Sequence, residues 1–350
     1  MTAVRPGPLR VSVVVVTWNG LDLTLRCLDS LRAQGTEGLD VDLVVVDNGS
    51  HDGTAEALAR VRDVHLVALP RNTGFAGGVN AGIRATTGDV VVLLNNDAVA
   101  EPGLLRSLVA PFRESPIAGA ARVGATTGRV LLSGTFAPAG PGQPDALVGH
   151  DGARWVRVDQ GGVTLVNSTG NEVTVSGNGR DRDWLAPADG PEAPAEVFGF
   201  NGGCAALSRA ALQDVGPLDE SFFMYYEDTE LSWRLRRRGW TVRHVPGART
   251  VHDHAASSGT SSTFFLDHNE RNRLLVALVH APPGVVVRAA SRTLARCLLG
   301  PDRARRARTL LTVLRRAPWA LRRRRAVDRT ATVPRAVPAA LLVPDGGGSR

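Results

Sequence analysis

The sequence has 350 residues, of which 43% are hydrophobic and 21% charged, so a disordered, collagen-like or disulfide-scaffold chain is excluded. The net charge of +7 is unevenly distributed. Residues 1–287 hold 25 arginines against 31 acidic residues, whereas residues 288–329 hold 14 arginines against two. The basic balance therefore belongs to a C-terminal segment and not to the whole surface.

The cysteines and the apolar runs indicate the cellular compartment of the protein. Cys27, Cys204 and Cys297 are scattered and odd in number, which favours a reducing compartment and argues against a cysteine-based zinc site. No stretch reaches the roughly 18–20 apolar residues that cross a bilayer, and the run over residues 11–16 is too short for a signal-peptide core. We expect a cytoplasmic protein, peripheral on the inner face of the plasma membrane.

The first hundred residues alternate between apolar runs and helical patterns. The apolar runs over residues 11–16, 41–47, 64–69 and 89–97 predict strands covered on both faces. This alternation predicts an α/β fold with a doubly wound, mostly parallel sheet, which binds ligands at the carboxyl ends of its strands. Three of those ends carry polar clusters: Thr17-Trp18-Asn19, Asp47-Asn48-Gly49-Ser50 and Asn95-Asn96-Asp97.

The texture of the sequence changes after the fourth strand. Glycine, proline and short valine-rich runs predict an irregular β-rich insertion, after which regular structure returns. A basic helical pattern comes next, interrupted at Pro318, and the Pro/Ala/Gly-rich end predicts disorder. The predicted units are one domain over residues 1–281, made of a nucleotide-binding half (9–122), the insertion (123–196) and an acceptor half (197–281), then a basic amphipathic helical segment (282–329) and a disordered tail (330–350).

A glycine-rich segment over residues 71–83 joins a strand to a helix. Glycine lets the backbone approach a ligand, and a helix N-terminus favours phosphate. The spacing matches neither the dinucleotide fingerprint nor the P-loop, and a tight turn is the alternative. Asp47 is a candidate acceptor for a base or ribose, with a capped turn as the alternative.

Asp97 and His252 are candidate metal or phosphate ligands. One carboxylate beside Asn95 and Asn96 is a thin site for Mg²⁺ or Mn²⁺, but it suffices if substrate phosphates supply the other oxygens. A capped strand end is the alternative for Asp97. His252 comes after a later predicted strand, and a structural histidine is the alternative there.

Glu227 and Asp228 come after four aromatic residues and begin a predicted helix. Partial burial would raise the pKa of a carboxylate and suit it to general-base catalysis. The alternative is that the pair only complements the helix dipole.

In their order and spacing these segments resemble the family 2 glycosyltransferases with the GT-A fold, over residues 9–281. The resemblance is carried by VSVVVVTWN, VVVDNGSHDGT, NTGFAGGVNAGI, LLNND, FGFNGGCAALSR, YYEDTELSWRLRRRGW, VHDHAASSG and ERNRLL. Within the family the sequence is most similar to bacterial rhamnosyltransferase-type enzymes that build cell-wall and surface glycans.

The resemblance implies an inverting transfer from a TDP- or UDP-linked sugar, with Mg²⁺ or Mn²⁺ on the diphosphate. It implies Asp228, within the pair Glu227-Asp228, as the general base, and Asp97 and His252 at the metal. Asn95 and Asn96 stand where many relatives carry aspartate, which predicts weaker metal binding. The residues implied for the nucleotide pocket are Thr17, Trp18, Asn19, Asp47, Asn48, Gly49, Asn72, Gly74, Phe75, Asn80, Asn95 and Asn96.

The basic segment has an amphipathic pattern. Arg288, Arg292 and Arg296 share one helix face, and an apolar stripe lies among further arginines. The pattern predicts binding to an anionic membrane surface, and the alternative is a helix packed on the catalytic domain. Nucleic acid is not expected as a partner, because no aromatic stacking platform accompanies the charge. The stripe consists of Leu310, Leu311, Leu314, Ala317 and Leu321.

The predicted function is transfer of a sugar, rhamnose by resemblance, to a lipid-linked or cell-surface glycan. A different donor, such as a hexosyl or galactofuranosyl nucleotide, is the first alternative. A catalytically silent sugar- or membrane-binding module is the second, and the joint presence of Asp47, Asp97, Asp228 and His252 argues against it.

Overall fold

The computed structural model describes residues 7–113, 122–253, 262–300 and 302–346. The first range contains β1 (Leu9–Thr17), α1 (Leu21–Arg32), β2 (Leu39–Asp47), α2 (Thr54–Leu58), β3 (His65–Ala68), α3 (Gly74–Arg84), β4 (Val90–Leu94), β5 (Ala98–Ala100) and α4 (Leu104–Val109). The second contains β6 (Arg122–Leu132), β7 (Thr135–Pro138), β8 (Leu147–Val148), β9 (Arg154–Val158), β10 (Val166–Ser168), β11 (Asn171–Val173), β12 (Gly179–Asp181), β13 (Cys204–Ser208), α5 (Arg209–Val215), α6 (Glu227–Arg237) and β14 (Trp240–His252). The last two contain α7 (Thr263–His280), α8 (Pro283–Leu299), α9 (Arg303–Thr330) and α10 (Ala336–Ala339).

The main sheet has the strand order β3-β2-β1-β4-β13-β6-β14-β5 within the described ranges, and β10 pairs with β6. The first four strands pair in parallel, as predicted. Strand β13 runs antiparallel to both β4 and β6. The α/β class is therefore confirmed, with a mixed sheet whose N-terminal half is parallel. The register sets Thr17 opposite Asp47, so the polar ends of β1 and β2 lie side by side.

The apolar strands are explained by helices on both faces of the sheet. Val11, Val13 and Val15 are buried in one cluster with residues of α1 and α4, and Val14 is buried in the opposite cluster with residues of α3. Because neither face meets water, the strand has no polar alternation. Each fully buried valine contributes about 1.5–3 kcal/mol relative to an exposed one.

The N-terminal boundary predicted for the insertion is wrong. β6 is a strand of the main sheet, between β13 and β14, although the insertion was predicted to begin at residue 123. The glycines that suggested loops allow close packing, because a Cβ at Gly128 would lie 2.6 Å from the Ala248 carbonyl oxygen. The chain after β6 is irregular as expected, with a small sheet of β7, β9 and β8 and a β11–β12 hairpin.

The C-terminal helices pack on the domain through one face. Val285 and Ala289 of α8, and Val313, Ala320 and Val327 of α9, are buried in one cluster with residues of α7. The packed-helix alternative is therefore correct for this inner face. No helix in the described ranges combines the length and apolar composition that crossing a bilayer requires.

Pro318 does not interrupt α9, contrary to the prediction. The helix runs from Arg303 to Thr330 with Pro318 inside it. Proline has no N–H to donate a hydrogen bond to the carbonyl four residues earlier, which here is that of Leu314. Both residues are exposed, so water can solvate that carbonyl.

The prediction of disorder from residue 330 onward is wrong as far as residue 346. Val343 accepts from Val175 N–H and donates to the Val173 carbonyl, at 2.8 and 3.0 Å. Leu341 and Leu342 pack against the cluster that buries α8 and α9. A composition rich in proline, alanine and glycine did not reveal these few long-range contacts.

Candidate active site

The polar clusters of β1, β2 and β4 meet at the carboxyl edge of the sheet. The Thr17 carbonyl accepts from Asn48 N–H at 2.8 Å, and Asn96 Nδ2 donates to Thr17 Oγ1 at 3.3 Å. Thr24 Oγ1 donates to the same hydroxyl at 2.8 Å. The three predicted clusters therefore form one continuous surface.

Asp47 is 2% exposed at the end of β2. Its Oδ2 accepts from Ser50 N–H at 3.2 Å, whereas Oδ1 is buried without a hydrogen-bond partner in the part of the chain that the structure describes. An unpaired buried carboxylate oxygen is costly. A hydrogen-bond donor from a ligand would satisfy it, as the nucleotide hypothesis requires.

Trp18 and Asn19 form the open rim of this edge. Trp18 is 47% exposed. Asn19 has a φ of 51°; its N–H donates to Ser50 Oγ, and its Oδ1 accepts from His51 N–H, both at 2.8 Å. The rim is thus joined to the turn after β2, with the indole left open to a ligand.

The glycine-rich loop is bound to the end of β2. Asn48 Nδ2 donates to the Gly74 carbonyl at 3.0 Å, and Asn72 Oδ1 accepts from Gly74 N–H at 2.8 Å. Gly49 has a φ of +78°, and a Cβ there would lie 2.5 Å from the Arg71 carbonyl carbon. Only glycine permits this approach, so these residues shape the loop that flanks Asp47.

Gly74 and Phe75, which the resemblance implies for the nucleotide pocket, also contact the loops around Asp228. A Cβ at Gly74 would collide with the Phe223 carbonyl. The Phe75 ring is 3.2 Å from the position a Cβ would take at Gly202. The two residues therefore border both parts of the site.

Asn80 is buried in α3, and its side chain hydrogen-bonds to other residues of the protein. Its Nδ2 donates to the Leu218 carbonyl at 2.8 Å and to Glu220 Oε1 at 2.9 Å, and its Oδ1 accepts from Leu218 N–H at 3.0 Å. Both side-chain N–H groups are used, so we leave Asn80 out of the candidate pocket.

Asp97 and His252 converge beside β4. Asp97 Oδ1 lies 2.9 Å from His252 Nε2. Asn167 Oδ1 is 2.9 Å from His252 Nδ1, which fixes the orientation of the ring. Asn95 Nδ2 is 3.4 Å from the same Nε2.

The pair fits a divalent cation that is bound together with its substrate. Ligand atoms about 2.1 Å from an octahedral cation are about 3 Å apart, which matches the separation of Asp97 Oδ1 and His252 Nε2. Across the described ranges, no group of three or more His, Cys, Asp or Glu side chains could hold a metal. Substrate oxygens would have to complete the coordination. His254, the second histidine of the VHDHAASSG segment, lies outside the described residues.

Asp228 is the second residue of α6, and groups of Gly202, Thr229 and Asn171 donate to its carboxylate. Oδ2 accepts from Gly202 N–H at 3.2 Å, and Oδ1 accepts from Thr229 N–H at 2.6 Å and Thr229 Oγ1 at 3.2 Å. Burial nevertheless raises the pKa of Asp228 above its ordinary value. A fixed carboxylate with a raised pKa suits general-base catalysis.

Glu227 has a different environment from Asp228. Its side chain is buried, and Oε2 has no hydrogen-bond partner within the described chain. Burial first, and the charge of Asp228 second, raise the pKa of Glu227 well above its ordinary value. Hydrogen-bond donors hold the Asp228 carboxylate, whereas Glu227 Oε2 has none among the described residues, so the geometry favours Asp228 as the base.

The backbone before α6 is strained. Phe223, Tyr225 and Tyr226 have φ values of 66°, 68° and 72°, a conformation that costs on the order of 1–3 kcal/mol per residue. Asn272 Nδ2 stabilises the segment by donating to the carbonyls of Phe222, Met224 and Tyr225 at 3.1, 2.9 and 2.7 Å. This explains the asparagine of the ERNRLL segment.

Four polar residues at the site were missed by sequence reasoning. Asn171 bonds to the carboxylate of Asp228, and Asn201 Nδ2 donates to Asp181 Oδ1 at 2.7 Å. Asn167 contacts His252. These residues stand in glycine-rich, non-periodic sequence, and the only available signal was the FNGG segment for Asn201.

The loop over residues 201–203 connects the two parts of the site. Asn95 N–H donates to the Gly203 carbonyl at 3.0 Å, and Gly202 N–H donates to Asp228. The loop therefore lies between the Asp97–His252 pair and the Asp228 carboxylate.

Comparison with known proteins gives consistent results. One model, described as glycosyl transferase family 2, matches residues 12–133, and another, described as glycosyl transferase family group 2, matches residues 158–273. An N-acetylglucosaminyl-diphospho-decaprenol L-rhamnosyltransferase of Mycobacterium tuberculosis is 28% identical over 282 residues, which cover 77% of this chain and 84% of that protein.

Solved structures support the same fold. A structure of GalNAc-T7 with UDP, GalNAc and Mn²⁺ matches with a TM-score of 0.59 at 18% identity, covering 87% of this chain and 54% of that one. The chain thus spans about half of that protein. Staphylococcus aureus TarS 1–349 in complex with UDP matches with a TM-score of 0.51 at 15% identity, covering 95% and 91%. The architecture is accordingly that of the GT-A glycosyltransferases.

Proposed function

The chain belongs to the family 2 glycosyltransferases, and from this premise we propose that it transfers rhamnose, with inversion, from TDP-rhamnose to a lipid-linked glycan. We call the surface around Asp47, Asp97 and His252 the donor side. We call Asp228, the 201–203 loop and the β11–β12 hairpin the acceptor side. In this proposal the nucleotide-binding half supplies most of the donor side, and residues 197–281 supply the base.

The observation that carries the proposal is the position of the 201–203 loop between the two sides. Its Gly203 carbonyl is bonded to Asn95, next to His252, and its Gly202 N–H is bonded to Asp228. A sugar whose diphosphate lies at Asp97 and His252 would have its anomeric carbon between these groups and the Asp228 carboxylate. Inversion requires this order, because the acceptor attacks opposite the leaving group.

The chemistry is assigned to these side chains. Asp228 accepts the proton of the acceptor hydroxyl while the hydroxyl oxygen forms a bond to the anomeric carbon of the donor sugar. The bond between the anomeric carbon and the diphosphate oxygen breaks at the same time. A divalent cation held by Asp97 and His252 would offset the charge that develops on the leaving diphosphate. Asp47 Oδ1 accepts a hydrogen bond from the nucleoside, which fixes the donor. No covalent nucleophile is needed.

The choice of rhamnose and of a lipid-linked acceptor is supported by the mycobacterial rhamnosyltransferase, which matches most of this chain and of itself. The name of that relative describes transfer to N-acetylglucosaminyl-diphospho-decaprenol. A hexosyl or galactofuranosyl donor is the alternative within the same fold.

A donor screen tests the proposal. The purified protein is incubated with a GlcNAc-diphospho-polyprenol acceptor and, in turn, with TDP-rhamnose, UDP-galactofuranose and UDP-GlcNAc, each with Mn²⁺, Mg²⁺ or EDTA. We expect metal-dependent product from TDP-rhamnose only. Product from another donor alone would reassign the sugar. Failure of every donor to raise the melting temperature would favour the silent module, since a ligand that binds the native state stabilises it by an amount that grows with the logarithm of its concentration.

We further propose that this transfer occurs at the inner face of the plasma membrane, to which the outer face of α8 and α9 binds. On α9, Leu311, Leu314 and Leu321 are 47%, 60% and 48% exposed. Of the predicted stripe, Leu310 and Ala317 are instead half-buried toward the domain. α8 adds further exposed apolar residues, namely Val287, Leu294, Leu298 and Leu299.

Arginines flank this apolar stripe. Exposed arginines recur every seventh residue along α9, which keeps them on nearly one face. An exposed apolar stripe beside a row of cations matches the interface of an anionic bilayer. The row is Arg308, Arg315, Arg322 and Arg329. Arg292 and Arg296 lie instead 3.4 Å from Asp345 and 3.8 Å from Glu270.

Vesicle binding tests the membrane proposal with two variants of equal charge. One carries Gln at Arg308, Arg315 and Arg322, and the control carries Gln at the exposed residues Arg60, Arg62 and Arg106. Because each arginine near an anionic surface contributes about 1 kcal/mol, the first variant should lose on the order of 100-fold in affinity for phosphatidylglycerol vesicles. An equal loss in the control would indicate net charge alone and overturn the assigned face.

A further inference from the structure

The β11–β12 hairpin brings a carboxylate, Asp181, to the active site. Asn171 and Asp181 are paired at the open end of the hairpin. Asn171 N–H donates to the Gly199 carbonyl at 2.7 Å, and Gly199 N–H donates back at 3.0 Å. The hairpin is therefore bound to the segment that leads directly into the 201–203 loop.

Asp181 determines how the Asn201 side chain is oriented. Asn201 Nδ2 donates to Asp181 Oδ1 at 2.7 Å, and Asn201 Oδ1 accepts from Gly203 N–H at 2.8 Å. An ionised carboxylate can only accept hydrogen bonds, so the amide must direct its NH₂ group to Asp181 and its oxygen to the loop. If the side chain at position 181 could also donate a hydrogen bond, the Asn201 amide could rotate by about 180° and exchange its oxygen and NH₂ group.

The loop held in this way contacts both sides of the site. Gly202 N–H donates to Asp228 Oδ2 at 3.2 Å, and the Gly203 carbonyl accepts from Asn95 N–H at 3.0 Å. A shift of the loop would therefore move the hydrogen bond that orients the base. Positioning errors of about 1 Å can reduce catalysis by about 10²-fold.

The charges around Asp181 agree with this location. Burial raises the pKa of Asp181 to about 6, and the nearby charge of Asp228 raises it further, while bonds from Ser168 and Asn201 and the charge of His252 act in the opposite direction. The carboxylate thus lies close to both the base and the metal pair.

We propose that Asp181 is a positioning residue of the transfer reaction, which acts through Asn201 and the 201–203 loop to orient Asp228. The inference rests on the proposed role of Asp228 as the base. It predicts that Asp181 affects turnover and leaves nucleotide binding without metal unchanged, because the contacts around Asp47 do not pass through this loop.

A polarity swap tests the proposal with TDP-rhamnose as donor. Asp181→Ala removes the acceptor and should lower kcat by about 10- to 100-fold, with KM for the donor nearly unchanged. Asn201→Asp sets two carboxylates against each other and should lower kcat at least as much. In the double variant Asp181→Asn/Asn201→Asp, the new amide donates to the new carboxylate, whose second oxygen still accepts from Gly203. The double variant should recover kcat to within about fivefold of wild type, as expected for two coupled residues.

Two controls separate this role from a general effect on folding or charge. Asp159→Ala removes an exposed acidic residue of the same insertion and should leave kcat unchanged. Affinity for TDP, measured by calorimetry, reports whether the donor side of each variant is folded. Loss of TDP affinity in proportion to kcat would overturn the proposal, because a merely structural role predicts it.

The remaining outcomes are also decisive. A double variant as slow as Asn201→Asp would overturn the proposal, since the hydrogen bond would then not be what matters. Asp228→Asn, measured in parallel, separates the role of Asp181 from that of the base. If it is inactive while Asp181→Ala is normal, only the role of Asp181 fails. If Asp228→Asn is active, the proposed base itself is wrong.

Discussion

The donor and acceptor sides differ in how far their carboxylates are already hydrogen-bonded. Asp47 Oδ1 is buried without a hydrogen-bond partner in the described chain, and Asp97 Oδ1 faces His252 Nε2 at 2.9 Å. Asp228, in contrast, accepts at both oxygens from Gly202 and Thr229. In the proposed reaction a ligand would give Asp47 Oδ1 its missing partner, whereas the proposed base, Asp228, is held in place before any ligand binds.

This difference separates interactions that bind the donor from interactions that lower the barrier of the reaction. Groups that a ligand completes contribute mainly to binding, and a group fixed in advance contributes mainly to the rate. Substitutions on the donor side should therefore change affinity, and substitutions on the acceptor side should change turnover. Kinetic and binding measurements can test that division, from the largest expected effect to the smallest.

The largest effect is expected for Asp228→Asn, which keeps the shape of the side chain and removes the proton acceptor. Steady-state kinetics should give a kcat lower by about 10²–10⁴-fold. Affinity for TDP should stay close to wild type, because the donor side is untouched. Turnover close to the wild-type rate would remove Asp228 from its role.

The pH dependence of the wild-type protein provides a second measure of the same group. Because burial raises the pKa of Asp228, the rate should fall with decreasing pH through a value above the ordinary range for aspartate. The protonated carboxyl cannot accept a proton, so activity is lost on the acidic side. A rate that stays constant down to the ordinary aspartate range would contradict this environment.

Asp97→Ala should weaken the donor side at its metal site. With only His252 left of the pair, affinity for the metal-bound donor should fall by at least about 10- to 100-fold. Calorimetry with TDP and Mn²⁺ measures the change, and TDP binding in EDTA is the control. If both measurements fell equally, Asp97 would contact the nucleotide and not the cation.

Asp47→Ala should have a smaller effect of the same kind. Loss of one hydrogen bond to a charged group, worth about 1.5 kcal/mol, should raise the Kd for TDP about tenfold. At saturating donor the kcat should be restored. A kcat that stayed low at saturation would indicate that the two sides are less separate than proposed.

Glu227→Gln should have the smallest effect. A glutamine matches the shape of this buried carboxyl group, whose pKa burial raises well above its ordinary value, so kcat should change by less than about tenfold, far below the effect of losing a general base. Comparison with Asp228→Asn in one assay makes the two neighbours a matched pair. A loss as large as that of Asp228→Asn would mean that Glu227 ionises during the reaction.

Features that depend on chain-local order could be read from the sequence. The uninterrupted valines of β1 indicate burial on both faces, and consecutive parallel strands necessarily end at the same edge. Thr17 and Asp47 were therefore expected near each other, and the register of β1 and β2 sets them side by side. The aromatic residues before Glu227 and Asp228 likewise indicated partial burial, and burial raises the pKa of both carboxyl groups.

Only the tertiary structure decided what distant segments do to each other. The insertion became part of the site because Asn171 pairs with Gly199, a contact that no periodicity encodes. β6 packs closely in the sheet because Gly128 has no Cβ to collide with the Ala248 carbonyl. In the sequence, the glycines of this segment indicate a loop. The amphipathic pattern of α9 could not tell which apolar residues face α7 and which face solvent. Hydrophobic patterning specifies that a surface must be covered, whereas its covering partner is chosen by the packing of the whole chain.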